Sequence, residues 1–214
     1  MKNVKQLLLL LGLATFTFGL LSAQSDPKAD KILKKSQADF ERLKDVAADF
    51  TFTLENPNQQ RPIVKKGSVI LQGDMYLVKF PDETIVSNGV YLWDVLSEDE
   101  EITKTDFDEN TLSPARVFTT YKDQMKSRYD GLESGKHKIT LFANDKTQDI
   151  WKTELKIDQK TNMVSGATMH NRNGTTYSYS LANVKTNQGV KEGTFVVNES
   201  KYEDGGWLIN DLTE

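Results

Sequence analysis

The side chains that most often carry catalysis or bind metals are scarce in this sequence, and their spacing matches no known site. The only histidines are His137 and His170, and there is no cysteine. Neither histidine lies in an HExxH or other paired-ligand spacing, and no G-x-S-x-G motif occurs. Carboxylates are plentiful, but none stands in an apolar run, where an acid with a raised pKa would be expected. The sequence therefore predicts a protein that is not an enzyme and that uses no metal and no cofactor.

An acidic run at residues 97–101 is the stretch that most resembles a calcium site in composition. It reads Ser-Glu-Asp-Glu-Glu, and Ca²⁺ prefers oxygen ligands of this kind. The run lacks the Asp-x-Asp-x-Asp-Gly spacing of a calcium-binding loop. We therefore interpret it as a solvated hairpin tip between two strands.

What the sequence offers instead is apolar binding surface. Tyr76, Val78 and Phe80 share one face of a predicted strand, and Tyr91 and Trp93 share one face of another. A sheet face this aromatic either packs as ordinary core under a covering element or binds an apolar ligand. Periodicity does not separate these two interpretations, and on the pattern alone ordinary core is favoured.

Period-two alternation recurs along most of the chain, in about ten predicted strands separated by turn residues. The last two predicted strands are residues 194–198 and 207–212. Strands that follow one another through short turns are typical of an up-and-down antiparallel sheet. We predict a mainly β (α+β) fold, an open antiparallel up-and-down β-barrel that is covered by amphipathic helices.

Two amphipathic helices are predicted, and each is opened by a polar residue that is followed by proline. The first begins at residues 26–27, and its apolar stripe runs to Leu43. The second begins at residues 113–114 and ends at Gly131. Because the second helix interrupts a series of strands, we expect it to lie across the concave side of the curved sheet.

The N-terminus has the pattern of a secretory signal peptide. Two lysines precede an apolar run over residues 7–21, and Ala23 provides a small residue for cleavage. The run is shorter than the roughly 20 residues of a membrane-spanning helix. We expect residues 1–23 to be removed and residues 24–214 to form a single exported domain.

Composition also bears on partners and on lipid attachment. A bacterial lipoprotein would carry a cysteine directly after the cleavage site, so we expect a soluble protein without a lipid anchor, whose core holds the fold without disulfides. The formal charge is −4, and loss of two lysines and no acids with the signal peptide brings it to about −6. This charge argues against nucleic acid and against anionic membrane surfaces as main partners.

Several short motifs occur in a distinctive order along the chain. They are FTF at 50–52, GSVIL at 67–71, MYLV at 75–78, VSNGVYLW at 86–93, SP at 113–114, WKTELKID at 151–158 and TFVV at 194–197. In this order they resemble the periplasmic outer-membrane lipoprotein carrier proteins, the LolA family. The resemblance covers nearly the whole mature chain.

The resemblance implies a partial barrel, closed by helices, that encloses a hydrophobic cavity for the acyl chains of lipoproteins. It implies a monomer that takes cargo from an inner-membrane ABC-type lipoprotein release complex and passes it to an outer-membrane acceptor. In proteobacterial members an arginine just before the strand that Met75 begins here gates the lid, and residues 72–74 contain no arginine. The alternative is a lipid- or lipoprotein-sensing regulatory protein of the same fold.

We predict that lipid binds to the more aromatic face of the sheet, closed over by the second helix. The strand residues are Phe50, Phe52, Leu54, Val69, Leu71, Tyr76, Val78, Phe80, Tyr91, Trp93, Trp151, Leu155, Tyr177 and Tyr179, and the helix residues are Val117, Phe118, Tyr121 and Met125. Alternation decides which residues of one strand share a face, but not which face is the inner one. A charge at Phe52 or Trp93 is expected to weaken binding more than a charge at Thr51 or Leu92.

Overall fold

The computed structural model of the protein describes residues 25–108 and 125–214. In chain order these residues form helix α1 (Pro27–Glu41), strands β1 (Val46–Glu55), β2 (Ile63–Gln72), β3 (Met75–Lys79), β4 (Glu83–Ser87), β5 (Tyr91–Leu96), β6 (Glu101–Asp106), β7 (Met125–Glu133), β8 (Lys136–Ala143), β9 (Ile150–Asp158), β10 (Val164–Asn171) and β11 (Thr176–Thr186), helix α2 (Glu199–Glu203) and strand β12 (Leu208–Asp211). The predicted signal peptide lies outside the described residues. Within the described ranges, no helix has the length and apolar character needed to cross a membrane.

The twelve strands of the described chain join in one sheet. Their order is β12-β6-β5-β4-β3-β2-β1-β11-β10-β9-β8-β7. The chain therefore runs outward from β1 to β6, continues at the opposite edge with β7, and runs inward to β11, which pairs with β1. Neighbouring strands are antiparallel except β12, which runs parallel to β6. The result is the predicted mainly β fold, an open curved sheet with few helices, although its last strand departs from the up-and-down order.

Strand pairing separates the two faces of the sheet. On one face, Phe50 of β1 lies opposite Leu181 of β11 and Gly67 of β2. We name this the α1 face, because residues at the end of helix α1 pack against the cluster that contains Phe50. The opposite face is named the tail face, because residues 190–209 of the C-terminal segment pack on it.

Helix α1 begins where the sequence predicts, because Asp26 caps it. One carboxylate oxygen, Oδ1, accepts hydrogen bonds from the backbone N–H of Lys28 at 2.8 Å and of Ala29 at 3.4 Å. The other, Oδ2, accepts from the N–H of Tyr129 in β7 at 3.2 Å. These three hydrogen bonds lower the pKa of Asp26, and the same carboxylate both starts the helix and holds it to the edge strand of the sheet.

Helix α1 covers one half of the α1 face. Its Leu33 is buried in a cluster with Ile139 of β8 and Leu155 of β9. Past this cluster, Phe40 and Leu43 pack against the residues of β1, β2 and β3 instead. The α1 face is therefore divided into a half that α1 closes as core and a half that only the C-terminal end of α1 reaches.

The predicted second helix is wrong over its described part. Residues 125–133 form strand β7 and pair with β8. Gly131 does not end a helix; it lies inside β7, beside a bulge, with φ at 120°. The predicted stripe residues Val117, Phe118 and Tyr121 lie outside the described residues.

A spacing of four residues explains this error. Met125 and Tyr129 satisfy both an i, i+4 helical stripe and the period-two pattern of a strand. In the structure both pack against the cluster under α1, while Lys126 and Arg128 between them are exposed. The edge of β8 provides backbone hydrogen-bond partners for this segment, and those hydrogen bonds stabilise it as a strand and not as a helix.

The predicted strand at residues 194–198 is also absent. Strand β12 occupies the edge beside β6, so residues 194–198 do not pair with β6. Phe195 is buried instead against the tail face, in a cluster with Trp93 and Ile102. This segment therefore covers the sheet and does not extend it.

Candidate functional site

Five aromatic rings from β1, β11 and the end of β3 form a continuous row on the α1 face. The distances between ring centroids are 5.9 Å for Phe80–Phe50, 5.5 Å for Phe50–Tyr179, 5.3 Å for Tyr179–Phe52 and 6.4 Å for Phe52–Tyr177. Each distance lies in the range of favourable aromatic pairs. We call these five residues the aromatic row, and their mutual packing makes it a preformed apolar surface.

Gly67 allows the row to pass from β1 to the end of β3. It stands opposite Phe50 in β2. A Cβ atom at this position would lie 1.8 Å from the carbonyl oxygen of Lys79 and 3.1 Å from the ring of Phe80. Because glycine has no side chain, the rings of Phe50 and Phe80 meet across the strand that separates them.

The rings of the row differ in exposure. Phe50 is 5% exposed, whereas Phe52, Tyr177 and Tyr179 are half-buried. Burial raises the pKa of Tyr179 to about 12, because a phenolate is poorly solvated among apolar groups. The row is therefore buried at Phe50 and partly exposed at the rings on both sides of it.

Aliphatic residues extend this apolar surface beside the row. Val69, Leu71, Tyr76 and Val78 are buried in the same cluster as Phe50. Burial also raises the pKa of Tyr76, because a phenolate is poorly solvated among apolar groups. The cluster is thus apolar well beyond the rings themselves.

A cavity of about 570 Å³ lies between the C-terminal end of α1 and strands β10 and β11. Leu43, Met163 and Leu181 line it, together with the carboxylates of Asp39 and Asp158. Its volume falls in the range of about 300–1,000 Å³ that small-molecule sites occupy. Leu181 belongs both to this lining and to the cluster around Phe50, so the cavity adjoins the aromatic row.

Ten of the predicted binding residues share the α1 face around the row. They are Phe50, Phe52, Leu54, Val69, Leu71, Tyr76, Val78, Phe80, Tyr177 and Tyr179. Besides Phe40 and Leu43, five further residues that were not predicted pack against the same cluster. They are Ile85, Leu92, Phe107, Met163 and Leu181. Of these, Leu181 continues the alternation of Tyr177 and Tyr179, so the sequence contained the signal for it.

Tyr91 and Trp93 are not part of this surface. Ser87 lies opposite Leu92, which places Leu92 on the α1 face and the two aromatic residues on the tail face. Trp93 is 4% exposed, and its Nε1 donates a hydrogen bond to Oε1 of Glu199 at 2.8 Å. The structure therefore places Leu92, and not Trp93, on the face that carries the aromatic row.

Three other predicted residues also lie away from the row. Leu155 is core beneath α1, at 2% exposure. Met125 belongs to strand β7, not to a covering helix, and packs at the side of that same core. Trp151 is 37% exposed near the start of β9, and its ring centroid lies 6.3 Å from that of His170.

Charged groups interrupt the α1 face at its β2, β4 and β5 strands. The ammonium Nζ of Lys65 lies 2.5 Å from Oε2 of Glu83 and 3.7 Å from Oδ2 of Asp82. The hydrogen bond to Glu83 raises the pKa of Lys65, and Nζ lies 5.4 Å from the ring centroid of Phe80. In the described part of the chain, His, Asp and Glu form no group of three or more that could hold a metal ion.

The profile of the family described as "Outer membrane lipoprotein carrier protein LolA" matches residues 41–198, well over half of the chain. The chain belongs to the LolA family. The matched region includes the whole aromatic row, from Phe50 to Tyr179. No curated protein matches this LolA-family chain in sequence.

Several solved structures are similar to this chain at low sequence identity. An uncharacterized conserved protein from Thermus thermophilus has a TM-score of 0.55 at 10% identity, covering 87% of this chain and 99% of its own. Lipoprotein LppX from Mycobacterium tuberculosis has a TM-score of 0.48 at 13% identity, covering 78% and 99%. A LolA superfamily protein from Nitrosomonas europaea has a TM-score of 0.40 at 11% identity, covering 80% and 98%. The Thermus structure supports the same overall architecture for the LolA-family chain described here.

Proposed function

We propose that this LolA-family protein is a carrier that shields the acyl chains of lipoproteins on the aromatic row and the apolar residues around it. The observation that carries the proposal is the row itself, which is packed like core at Phe50 but half-buried at Phe52 and Tyr177. The description of the family as a lipoprotein carrier supports the class of ligand. The proposed contacts are the ten predicted residues on the α1 face, with Ile85, Leu92 and Leu181 added from the structure.

Burial of acyl chains can supply the affinity without any catalytic group. Each methylene that leaves water contributes about 0.8 kcal/mol, so ten buried methylenes contribute about 8 kcal/mol before the cost of ordering the ligand. Such binding is reversible, since a more apolar acceptor can take the chains. These energetics suit a carrier, which needs affinity and release but no catalytic group.

The cellular setting is part of the same proposal. The basic and apolar residues before Ala23 support cleavage of a signal peptide and export to the periplasm. Residues 24–214 would then form one domain that accepts lipoproteins from an inner-membrane ABC-type release complex and delivers them to an outer-membrane acceptor.

Binding of a fluorescent fatty acid to purified protein tests the site. Phe52→Glu places a charge on the aromatic row, whereas Thr51→Glu places the same charge one residue away on the tail face. Both positions are half-buried in β1, so the pair is matched in strand and in burial. We expect Phe52→Glu to weaken binding at least about tenfold, because the carboxylate would have to be desolvated beside the acyl chain. Equal binding by the two folded variants would refute the assignment of the site.

Crosslinking in cells separates a carrier from a regulator. A photoreactive amino acid at Phe52 should trap many different lipoproteins if the protein ferries cargo. Capture of one protein partner at this position, with no lipoprotein, would contradict the carrier role and favour the regulatory alternative.

A further inference from the structure

Two tyrosines of the aromatic row carry hydroxyl groups that the packing of the row does not use. The rings of Tyr177 and Tyr179 pack against Phe52, yet within the described residues neither hydroxyl takes part in a hydrogen bond. Tyrosine hydroxyls in apolar surroundings usually have a partner. Tyr129, which packs under α1, has one, because its hydroxyl lies 3.1 Å from Nδ1 of His137. The structure therefore accounts for the two rings of the row but not for their hydroxyl groups.

Both tyrosines are accessible from the α1 face. Each is half-buried, so neither side chain is closed off from solvent. Tyr177 lies opposite Leu54 and Tyr179 lies opposite Phe52, on neighbouring strands. Residues two positions apart on one strand share a face and are separated by about 7 Å. Strand β11 therefore presents two polar groups side by side on the surface where we propose that acyl chains lie.

The hydroxyl of Tyr179 keeps its proton at neutral pH. Burial, with a smaller contribution from Tyr177, raises the pKa of Tyr179 to about 12, because a phenolate is poorly solvated among apolar groups. A protonated phenol donates one hydrogen bond. The ligand group that complements it is therefore a hydrogen-bond acceptor that tolerates apolar surroundings.

Three kinds of acceptor occur at the head of an acyl chain, namely a carboxylate, an amide and an ester. A carboxylate would lose its hydration beside the rings, and the ammonium group that contacts the row, Lys65, lies near Phe80 and is bonded to Glu83. An amide would bring an N–H group that needs an acceptor of its own. An ester carbonyl is uncharged and only accepts, so it suits a tyrosine hydroxyl on an apolar surface.

We propose that the hydroxyl groups of Tyr177 and Tyr179 donate hydrogen bonds to the ester carbonyl oxygens of a diacyl ligand. The inference rests on the proposed function and adds that the protein recognises the linkage of the acyl chains as well as their methylene groups. Two ester groups on one glycerol match the two hydroxyls, and the chains would continue along the rings of Phe52 and Phe50. Diacyl phospholipids and diacylated proteins both present these ester groups.

Two ligands that differ only in their carbonyl groups test the inference. Dioctanoylglycerol and its dioctyl ether analogue would each compete with a fluorescent fatty acid for the mature protein. The measured quantity is the ratio of the affinity for the ester to the affinity for the ether. We expect the double variant Tyr177→Phe/Tyr179→Phe to lower this ratio at least about fivefold, the factor that two neutral hydrogen bonds provide. Its affinity for the ether should stay the same, because the rings remain.

The matched control is Tyr91→Phe. Tyr91 is also a half-buried tyrosine of a strand, but it lies on the tail face, so its replacement should leave the ratio unchanged. The double variant should have the same urea midpoint as the wild type or a higher one, since the lost hydroxyls bond to no group of the described chain. If the double variant does not fold, Tyr177→Phe takes its place and should lower the ratio at least about twofold.

Several results would overturn the inference while leaving acyl-chain binding intact. One is an unchanged ratio in the folded double variant, and another is an equal decrease in Tyr91→Phe. The infrared carbonyl band of the bound ester should also lie at lower frequency in the wild type than in the double variant, and identical bands would contradict the hydrogen bonds. Failure of both ligands to displace the fatty acid from the wild type would overturn the proposed function and this inference together.

Ether replacement in larger ligands then identifies the source of the ester groups. A diacyl phosphatidylcholine and a short diacylated peptide would each be compared with its dialkyl ether form. Weaker binding of the ether form of the phospholipid alone indicates a membrane lipid, and weaker binding of the ether form of the peptide alone indicates protein cargo. Weaker binding of both ether forms indicates that the two hydroxyls serve either ligand. Loss of affinity in neither pair would contradict the inference.

Discussion

Replacement of Trp93 by phenylalanine should destabilise the fold and leave acyl-chain binding unchanged. The indole is 4% exposed on the tail face, where it packs with Phe195 from the C-terminal segment. Its Nε1 donates to the carboxylate of Glu199 at 2.8 Å. The substitution removes this hydrogen bond and part of the ring volume, and both losses lie on the face opposite the aromatic row.

The expected decrease in the free energy of unfolding is the sum of these two losses. A hydrogen bond to a charged group contributes about 1.5–3 kcal/mol, and the lower end applies because the Glu199 side chain is 26% exposed. Glu199 keeps Lys104 as a partner at 3.4 Å, so no charge is left unpaired. Replacement of tryptophan by phenylalanine leaves a smaller void than the complete truncations that cost about 3–5 kcal/mol, and we add about 1 kcal/mol for it. We therefore expect the free energy of unfolding to fall by about 2–3 kcal/mol.

Urea unfolding of the mature protein measures this change as a lower midpoint with an unchanged slope. Fatty-acid binding is measured on the same preparation at low temperature, where the variant remains folded. Phe52→Leu is the matched comparison on the other face, and it should weaken binding more than it lowers stability, because Phe52 is only half-buried. If Trp93→Phe weakens binding but leaves the urea midpoint unchanged, the assignment of the two faces is wrong.

Two further predictions concern the sheet and its C-terminal edge. Gly67→Ala should lower the free energy of unfolding by about 1–3 kcal/mol, because the added Cβ atom would lie 1.8 Å from the Lys79 carbonyl oxygen and push β2 away from β3. An unchanged urea midpoint would contradict the close approach of these strands. Hydrogen bonds from Thr213 and Lys104 lower the pKa of Asp211 to about 2, whereas its pKa in the unfolded chain is about 3.9. The ionised carboxylate therefore stabilises the fold above about pH 3.9, and this contribution is lost as the pH falls towards 2. The difference in urea midpoint between wild type and Asp211→Asn should therefore shrink between about pH 5 and pH 2, and a constant difference would refute this account.

Features that depend on neighbouring residues were predictable from the sequence. The start of α1 is one of them, because the carboxylate of Asp26 bonds to N–H groups two and three residues ahead. The alternation of Phe50 and Phe52 in β1, and of Tyr177 and Tyr179 in β11, is another, because successive side chains of a strand point to opposite faces. The mainly β fold follows from many such runs.

Strand β7 was not predictable in this way. Met125 and Tyr129 are four residues apart, a spacing that suits a helix and a strand equally well. The choice depends on the edge of β8, to which residues 125–133 pair. That edge belongs to the next strand, Lys136–Ala143, so a pattern read only within the predicted helix does not contain the deciding information.

The division of the aromatic residues between the two faces also depended on tertiary structure. Alternation groups Tyr76 with Phe80 and groups Tyr91 with Trp93, but it does not say whether the two groups face the same way. The register between β4 and β5 decides this, since Ser87 lies opposite Leu92. A shift of one residue in that pairing would exchange the faces of β5. The sequence therefore determined which side chains of each strand share a face. Only the pairing of strands decided that the aromatic row lies on the α1 face while Trp93 lies on the tail face and packs against the C-terminal segment.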